Sequence, residues 1–372
     1  MMEIHYETLA SLSVEGRGSY GIGASAVERS EDLYTYLRIT DIRDDGTLNM
    51  ADLKSVNDEK AAQYLLKPND IVFARTGAST GRNYFYDGTD GEFVYAGFLI
   101  KFSIDPQKVN PKFVKYYCMS DAYKGWIHSF NTGSTRGNIN AHTLGGMPIP
   151  LPPRQQQDGI VELLSSLDKK IRTNTEINEN LAQQAQAIYA DIFITNADPA
   201  WPLGHLSDLI TVRYGKDHKK LNDGPFPVYG SGGVMRYVER PIYEKESVLI
   251  PRKGTLNNVM YVNEPFWSVD TMFFTEMKLP DVAKFVFHFV KSKDLASLNA
   301  GSAVPSMTTD ILNAMELSIP DAETLKRFES IVGPMYRAMQ HNSEESKKLA
   351  AIRDSLLPRL MSGELDVSEL DI

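Results

Sequence analysis

The sequence predicts an α+β chain of two β-rich globular domains in a pseudo-twofold repeat, joined by two long helices that pack on each other. Three observations predict it. First, residues 131–152 and 299–320 match at an offset of 168, with six identical pairs: Asn131/Asn299, Gly133/Gly301, Ser134/Ser302, Leu144/Leu312, Met147/Met315 and Pro152/Pro320. Second, each run leads into a long segment whose seam positions keep the 4,3 spacing of a heptad repeat. Third, the stretches before each run hold short β-branched and aromatic segments broken by Gly, Asn, Asp and Pro, which reads as strands and turns.

The elements follow in chain order. Residues 1–152 form the first domain, with strands at 36–40 and 93–102 and a helix at 111–127. Its glycine-rich run, 16–23, has no strand before it and no helix after it, and reads as a flexible loop. Residues 153–197 form the central helix, spanning about 156–194. Its seam is Ile160, Leu164, Leu167, Ile171, Asn174, Asn178, Leu181, Ala185, Ile188 and Ile192. A turn-rich joint, 195–202, opens the second domain, 198–320, with strands at 259–262 and 272–275 and a helix at 281–298. Residues 321–372 form the distal helix, about 322–361, and an acidic tail. The offset of 168 places Phe328, Val332, Met335, Met339, Asn342, Ser346, Leu349, Arg353, Leu356 and Leu360 on its seam. Asn174 and Asn342 share one seam position, and a seam asparagine fixes register at some cost in stability. Pro334 and Pro358 interrupt this helix and predict a kink or a late start, while Arg353 is out of place on an apolar seam.

A second anchor links the domains. Residues 67–81 and 244–258 each carry a polar lead-in, a short apolar strand and Arg-x-Gly, pairing Arg75 with Arg252 and Gly77 with Gly254. DPAW (198–201) and NEPF (263–266) read as turns.

Composition is that of a folded, soluble chain: 372 residues, 42% hydrophobic and 23% charged, with a net charge of −9. The lone cysteine, Cys118, excludes an intrachain disulfide and any CxxC motif, and favours a reducing cytoplasm. Neither a secretory leader nor a membrane-length apolar stretch is visible, so a cytoplasmic protein without membrane contact is expected.

Catalytic motifs are missing. The chain has no phosphate-binding GxxxxGK[ST], no HExxH and no GxSxG, and its seven histidines lack metal-ligand spacing. What remains is a set of polar, Arg-bearing loops in matching places. The first domain offers Arg75, Thr76, Ser79, Thr80 and Arg82, then Ser134, Thr135, Arg136 and Asn138. The second offers Arg213, Lys216, Lys219 and Lys220, then Arg252, Lys253, Thr255 and Asn257, then Ser302. Arg forks onto guanine and Asn onto adenine, while Ser, Thr, Lys and glycine amides take phosphates. The same residue types also populate ordinary turns.

Two variable domains, each closed by a GS-containing run, a Pro-bounded strand and a long helix, resemble the specificity subunit of type I restriction–modification enzymes. The residues that carry the resemblance are 131–174, the second copy at 301–321 with 355–365, and the strand–loops FARTGASTG and IPRKGTLNN. It covers nearly the whole chain. The resemblance implies two target-recognition domains, each reading half of a split double-stranded DNA target in the major groove. It implies that the helices pack antiparallel and set the spacing. It also implies two modification (methyltransferase) subunits and ATP-dependent restriction subunits as partners. S-adenosylmethionine, ATP and Mg would sit on those partners, and this chain would be non-catalytic. One departure is visible: the first domain lacks an opening like WPLGHLSDLI (201–210). The alternative reading is a coiled-coil-bridged adaptor with two ligand-binding β domains that do not act on DNA.

The acidic total does not exclude DNA. Residues 198–320 carry a net charge of only −1, and Arg213 to Lys220 is a local basic cluster. Much of the phosphate-neutralising affinity is then expected from partner subunits.

Overall fold

The structure, a computed structural model, describes residues 5–130, 138–298 and 306–367. The chain forms two compact units, Met1–Arg172 with Glu345–Ile372, and Thr173–Glu344. Among the described residues, both units are built from the same three sheet elements.

The main sheet of the first unit runs in the order Ser19–Tyr20, Leu99–Ser103, Asp70–Ala74, Asn83–Tyr86, and that of the second Ile210–Tyr214, Met272–Met277, Ser247–Pro251, Met260–Val262. All neighbours are antiparallel. The second sheet of each unit holds one parallel pair, Tyr34–Leu37 with Phe93–Tyr95, and Phe226–Gly230 with Trp267–Ser268. The third element is a two-stranded ribbon closing each domain, His5–Thr8 with Pro148–Leu151, and Leu203–His205 with Glu316–Ser318.

That ribbon corrects the expectation of a missing opening. The first domain begins as the second does: Leu9 N–H donates to Met147 O and Leu206 N–H to Met315 O, and 147 and 315 are related by the repeat offset. The glycine-rich run is also no flexible loop. Ser19–Tyr20 is a strand, and the Tyr36 hydroxyl donates to Ile22 O and Ala24 O at 2.8 and 2.9 Å. The run is glycine-rich because a Cβ on Gly21 would collide with the backbone carbonyls of Tyr95 and Ala96. The 93–102 strand breaks in two, since its halves serve different sheets. The 111–127 helix is likewise two helices, Pro111–Tyr117 and Asp121–His128. The second starts afresh where the Ser120 hydroxyl caps Tyr123 N–H. The 281–298 helix covers only Ala283–Lys291.

The long helices are Arg154–Ala190, continued as a π-helical turn to Thr195, and Ala322–Met361. They run antiparallel: Asp168 meets Arg353 in the first unit, while Asn174 and Asn178 meet Asn342 and Met339 in the second. Each of the twenty seam positions is buried or half-buried, Leu164, Ala185, Phe328 and Val332 fully so. Around them, Leu167, Ile171, Leu181, Ile188, Met335, Met339, Leu349 and Leu356 are half-buried. In the second unit the seam holds a polar layer: Asn174 Nδ2 donates to Asn342 O, Asn342 Nδ2 to Asn178 Oδ1, and Asn178 Nδ2 to Met339 O.

Two expectations about the distal helix change. It begins at Ala322 and stays helical through Pro334 and Pro358, with no late start; both prolines lie on its exposed face, where carbonyls left without an amide donor can turn to water. Arg353 is accounted for by Asp168, 3.0 Å away, which also binds Lys115 Nζ and the Tyr116 hydroxyl. Burial alone would raise the Asp168 carboxyl, but Lys115, Arg353 and Tyr116 together hold it below the usual carboxylate range.

Each unit packs its domain onto its own stretch of helix pair. Ile160, Leu164, Leu357 and Leu360 join the first main sheet; Ala185, Tyr189, Phe328 and Val332 join the second. His288 lies in the second cluster, between Gln186 Oε1 at 2.8 Å and the Tyr336 hydroxyl at 3.0 Å. Burial, with repulsion from Lys291, pushes its pKa from 6.5 down to about 4. The native imidazole therefore stays neutral where the unfolded one takes a proton, so stability falls as pH drops through the window from about 6.5 to 4. At ~1.4 kcal/mol for each pH unit, the loss reaches about 2 kcal/mol by pH 5. Urea unfolding at pH 7.5 and 5.0 checks this. The wild type should lose that much more than His288→Gln, and equal losses would refute the assignment.

Candidate nucleic-acid interface

The Arg-x-Gly loops follow the central strand of each main sheet. In both, the glycine takes a left-handed conformation, φ 72° at Gly77 and 85° at Gly254, which turns the chain sharply after the arginine. The arginine backbone is fixed on both sides. Arg75 N–H donates to Phe98 O and Arg75 O accepts from Ile139 N–H; Arg252 N–H donates to Thr271 O and Arg252 O accepts from Met307 N–H. The next residues form isolated bridges, Thr76 with Asn138 and Lys253 with Ser306. Each strand–loop is thus stitched to the GS-containing run in its own domain.

The side chains match as well. The Arg75 guanidinium lies 5.0 Å from the centre of the Tyr20 ring, and that of Arg252 5.4 Å from the Tyr214 ring. Tyr20 and Tyr214 are equivalent by register, pairing with Ile100 and Phe273, which in turn face Phe73 and Ile250. Both rings are about half exposed, Tyr20 43% and Tyr214 51%. A cation over an aromatic face is attracted by the ring quadrupole, which favours holding each guanidinium above its tyrosine. Arg75 Nε is buried and has no hydrogen-bond partner among the described residues, whereas Arg252 Nη1 donates to Asp270 O.

The other sequence-derived candidates differ in their surroundings. Lys216, Lys219, Lys220, Lys253, Thr255 and Asn138 have exposed side chains near these loops or at the basic cluster. Four others are engaged within the chain. Arg82 donates to Asp44 and to Ile42 O, and Arg213 pairs with Glu276 at 3.0 Å. Asn257 bridges Asp294 and Ala296 N–H, and the Thr80 hydroxyl donates to Gly77 O. Ser79 closes the short turn Gly77–Ser79. Ser134, Thr135, Arg136 and Ser302 lie outside the described residues.

Tyr20 and Tyr214 escape sequence reasoning because they sit far from their arginines along the chain. A faint signal exists in the dipeptide Tyr-Gly at 20–21 and 214–215, although the same dipeptide also occurs at 229–230. Each glycine lies against the turn that holds the arginine, so closely that a Cβ on Gly215 would strike the carbonyls of Val269 and Ser268. Among the described residues, no cluster of three His, Cys, Asp or Glu side chains could hold a metal, and no helix is long and apolar enough to cross a membrane.

Comparison with known proteins adds the family. Residues 28–183 and 200–349 each match the type I restriction modification DNA specificity domain. The HindI type I restriction enzyme specificity subunit of Haemophilus influenzae is 21% identical, over 82% of this chain and 88% of that one. The MjaIX specificity subunit of Methanocaldococcus jannaschii is 20% identical over 70% of each. The crystal structure of a type I restriction–modification S subunit from Mycoplasma genitalium has the same fold, with a TM-score of 0.60 over 96% of each chain at 19% identity. With two matches that together span most of its length, each uniting a β-rich domain with the helix behind it, the chain belongs to the type I restriction–modification specificity family.

Proposed function

We propose that this chain selects the DNA sequence for a type I restriction–modification complex. Each β-rich domain reads one half of a bipartite target, and the helix pair sets the separation. The observation that carries the reading is the repeated Arg–Tyr stack, Arg75 on Tyr20 and Arg252 on Tyr214, at the same edge of two equivalent sheets. One reader built twice suits a target split in two. Helices of 37 and 40 residues span about 55–60 Å at 1.5 Å per residue, on the order of one to two turns of duplex.

The partners are double-stranded DNA, two modification subunits and the restriction subunits. S-adenosylmethionine, ATP and Mg belong to those subunits, and the chain performs no chemistry of its own. It acts in the cytoplasm, on DNA, with no membrane contact. A net charge of −9 suits a reader whose partners neutralise most of the phosphates.

The test is a map of N6-methyladenine in the host genome with and without this gene. One bipartite motif should vanish with the gene. If none vanishes while the modification subunit is expressed, the proposal fails.

A further inference from the structure

Beside each Arg-x-Gly strand–loop lies a turn from the unit's other sheet, and one structural position ties it there in both units. Arg82 and Asn258 are equivalent, each two residues before the partner of Val72 or Leu249 on the central strand. Arg82 Nη1 donates to Ile42 O at 3.2 Å, and Asn258 Nδ2 donates to Ser231 O at 2.8 Å. In the second unit the clamp is tight. A Cβ on Gly254, the glycine of Arg-x-Gly, would lie 2.8 Å from Ser231 Oγ. The turn is therefore held against the loop that carries Arg252.

The turn's own side chains are unlike its surroundings. Residues 230–235 carry no charge, and Val234 and Met235, just past the turn, are 45% and 62% exposed. Their hairpin, through Ser231 at its turn, lies against the basic rim formed by the loop of Arg252 and the exposed Lys253. Arginine and lysine suit guanine edges and phosphates, whereas an exposed apolar pair in such a rim suits the one apolar group in the major groove, the C5-methyl of thymine.

We propose that Val234 and Met235 determine specificity in the second half-site by contacting a thymine methyl, and that Asn258 is the positioning residue that holds their turn against Arg252. This rests on the DNA-reading function proposed above. Burying one methyl group changes affinity about fourfold.

The test uses the intact complex with its modification subunits and duplexes carrying its mapped motif, each thymine replaced in turn by uracil, which lacks only that methyl. Wild type should lose about fourfold at one thymine, in the half-site that Arg252→Ala relaxes. The double variant Val234→Ser/Met235→Ser should bind thymine and uracil duplexes equally. Asn258→Ala should blunt the same discrimination, and Met235→Leu should keep it. The inference is overturned if no uracil in that half-site weakens wild-type binding, or if the double variant keeps the wild-type preference. Loss of all binding by the double variant while Met235→Leu retains discrimination at another residue's thymine also overturns it. A wild-type complex with no bipartite motif at all would instead remove the functional reading, and this inference with it.

Discussion

Replacing Arg252 with alanine is expected to weaken the complex's binding to its target about 10- to 100-fold, with lost base preference confined to one half-site; Arg75→Ala should do the same in the other. The size follows from the role. A bidentate arginine–base pair is worth about 1–3 kcal/mol of discrimination, and the Tyr stack holds each guanidinium ready to form it. Tyr214→Ala leaves the charge but frees it to wander, so a smaller loss of about two- to fivefold is expected, in line with ~0.5–1 kcal/mol for a cation over an exposed ring. Tyr214→Phe keeps the face and should be nearly silent. Salt titration separates the two possible contacts. Loss of a phosphate contact lowers the salt slope by about 1 and weakens all sequences alike, whereas loss of a base contact leaves the slope and relaxes one position. If neither arginine variant changes affinity or preference, the stacks do not face DNA.

How much of this was legible depends on where each constraint lies along the chain. Arg75 and Arg252 are visible because Arg-x-Gly is local: the glycine must take a left-handed turn immediately after the arginine. Their tyrosines are not, because the link runs through a third strand, Leu99–Ser103 or Met272–Met277, and leaves no spacing pattern. The long helices are visible because a heptad seam is periodic. Arg353 breaks that seam only until Asp168, on the other helix, is placed beside it. The first domain's opening was hidden because the closing ribbon is specified by backbone pairing: Tyr6 and Leu203 occupy equivalent places opposite Pro150 and Ser318 and share no chemistry. Pro334 and Pro358 do not delay the helix: proline is judged by its missing donor, while the face it lies on decides whether the helix continues.

Phe328→Ala should destabilise the second unit by about 3–5 kcal/mol, the usual cost of emptying a buried aromatic site. Phe328 is 0% exposed, with its ring 5.0 Å from Phe193, 6.3 Å from Tyr189 and 6.0 Å from His288. It thus joins three helices at once: the distal helix, the end of the central helix, and Ala283–Lys291. The same apolar cluster includes Val248 and Ile250, on the strand that delivers Arg252, so the cavity would loosen the platform beneath the reader. Trp201, 5.9 Å from Phe193, is a built-in reporter. In a background with Trp126→Phe and Trp267→Phe, its fluorescence should follow urea unfolding of this unit, and Phe328→Ala should move the midpoint sharply down. Ile331→Ala supplies the contrast on the same helix, since Ile331 is 38% exposed and its truncation should cost under about 1 kcal/mol. Equal costs for the two variants would mean that Phe328 does not anchor the helices to the second recognition domain.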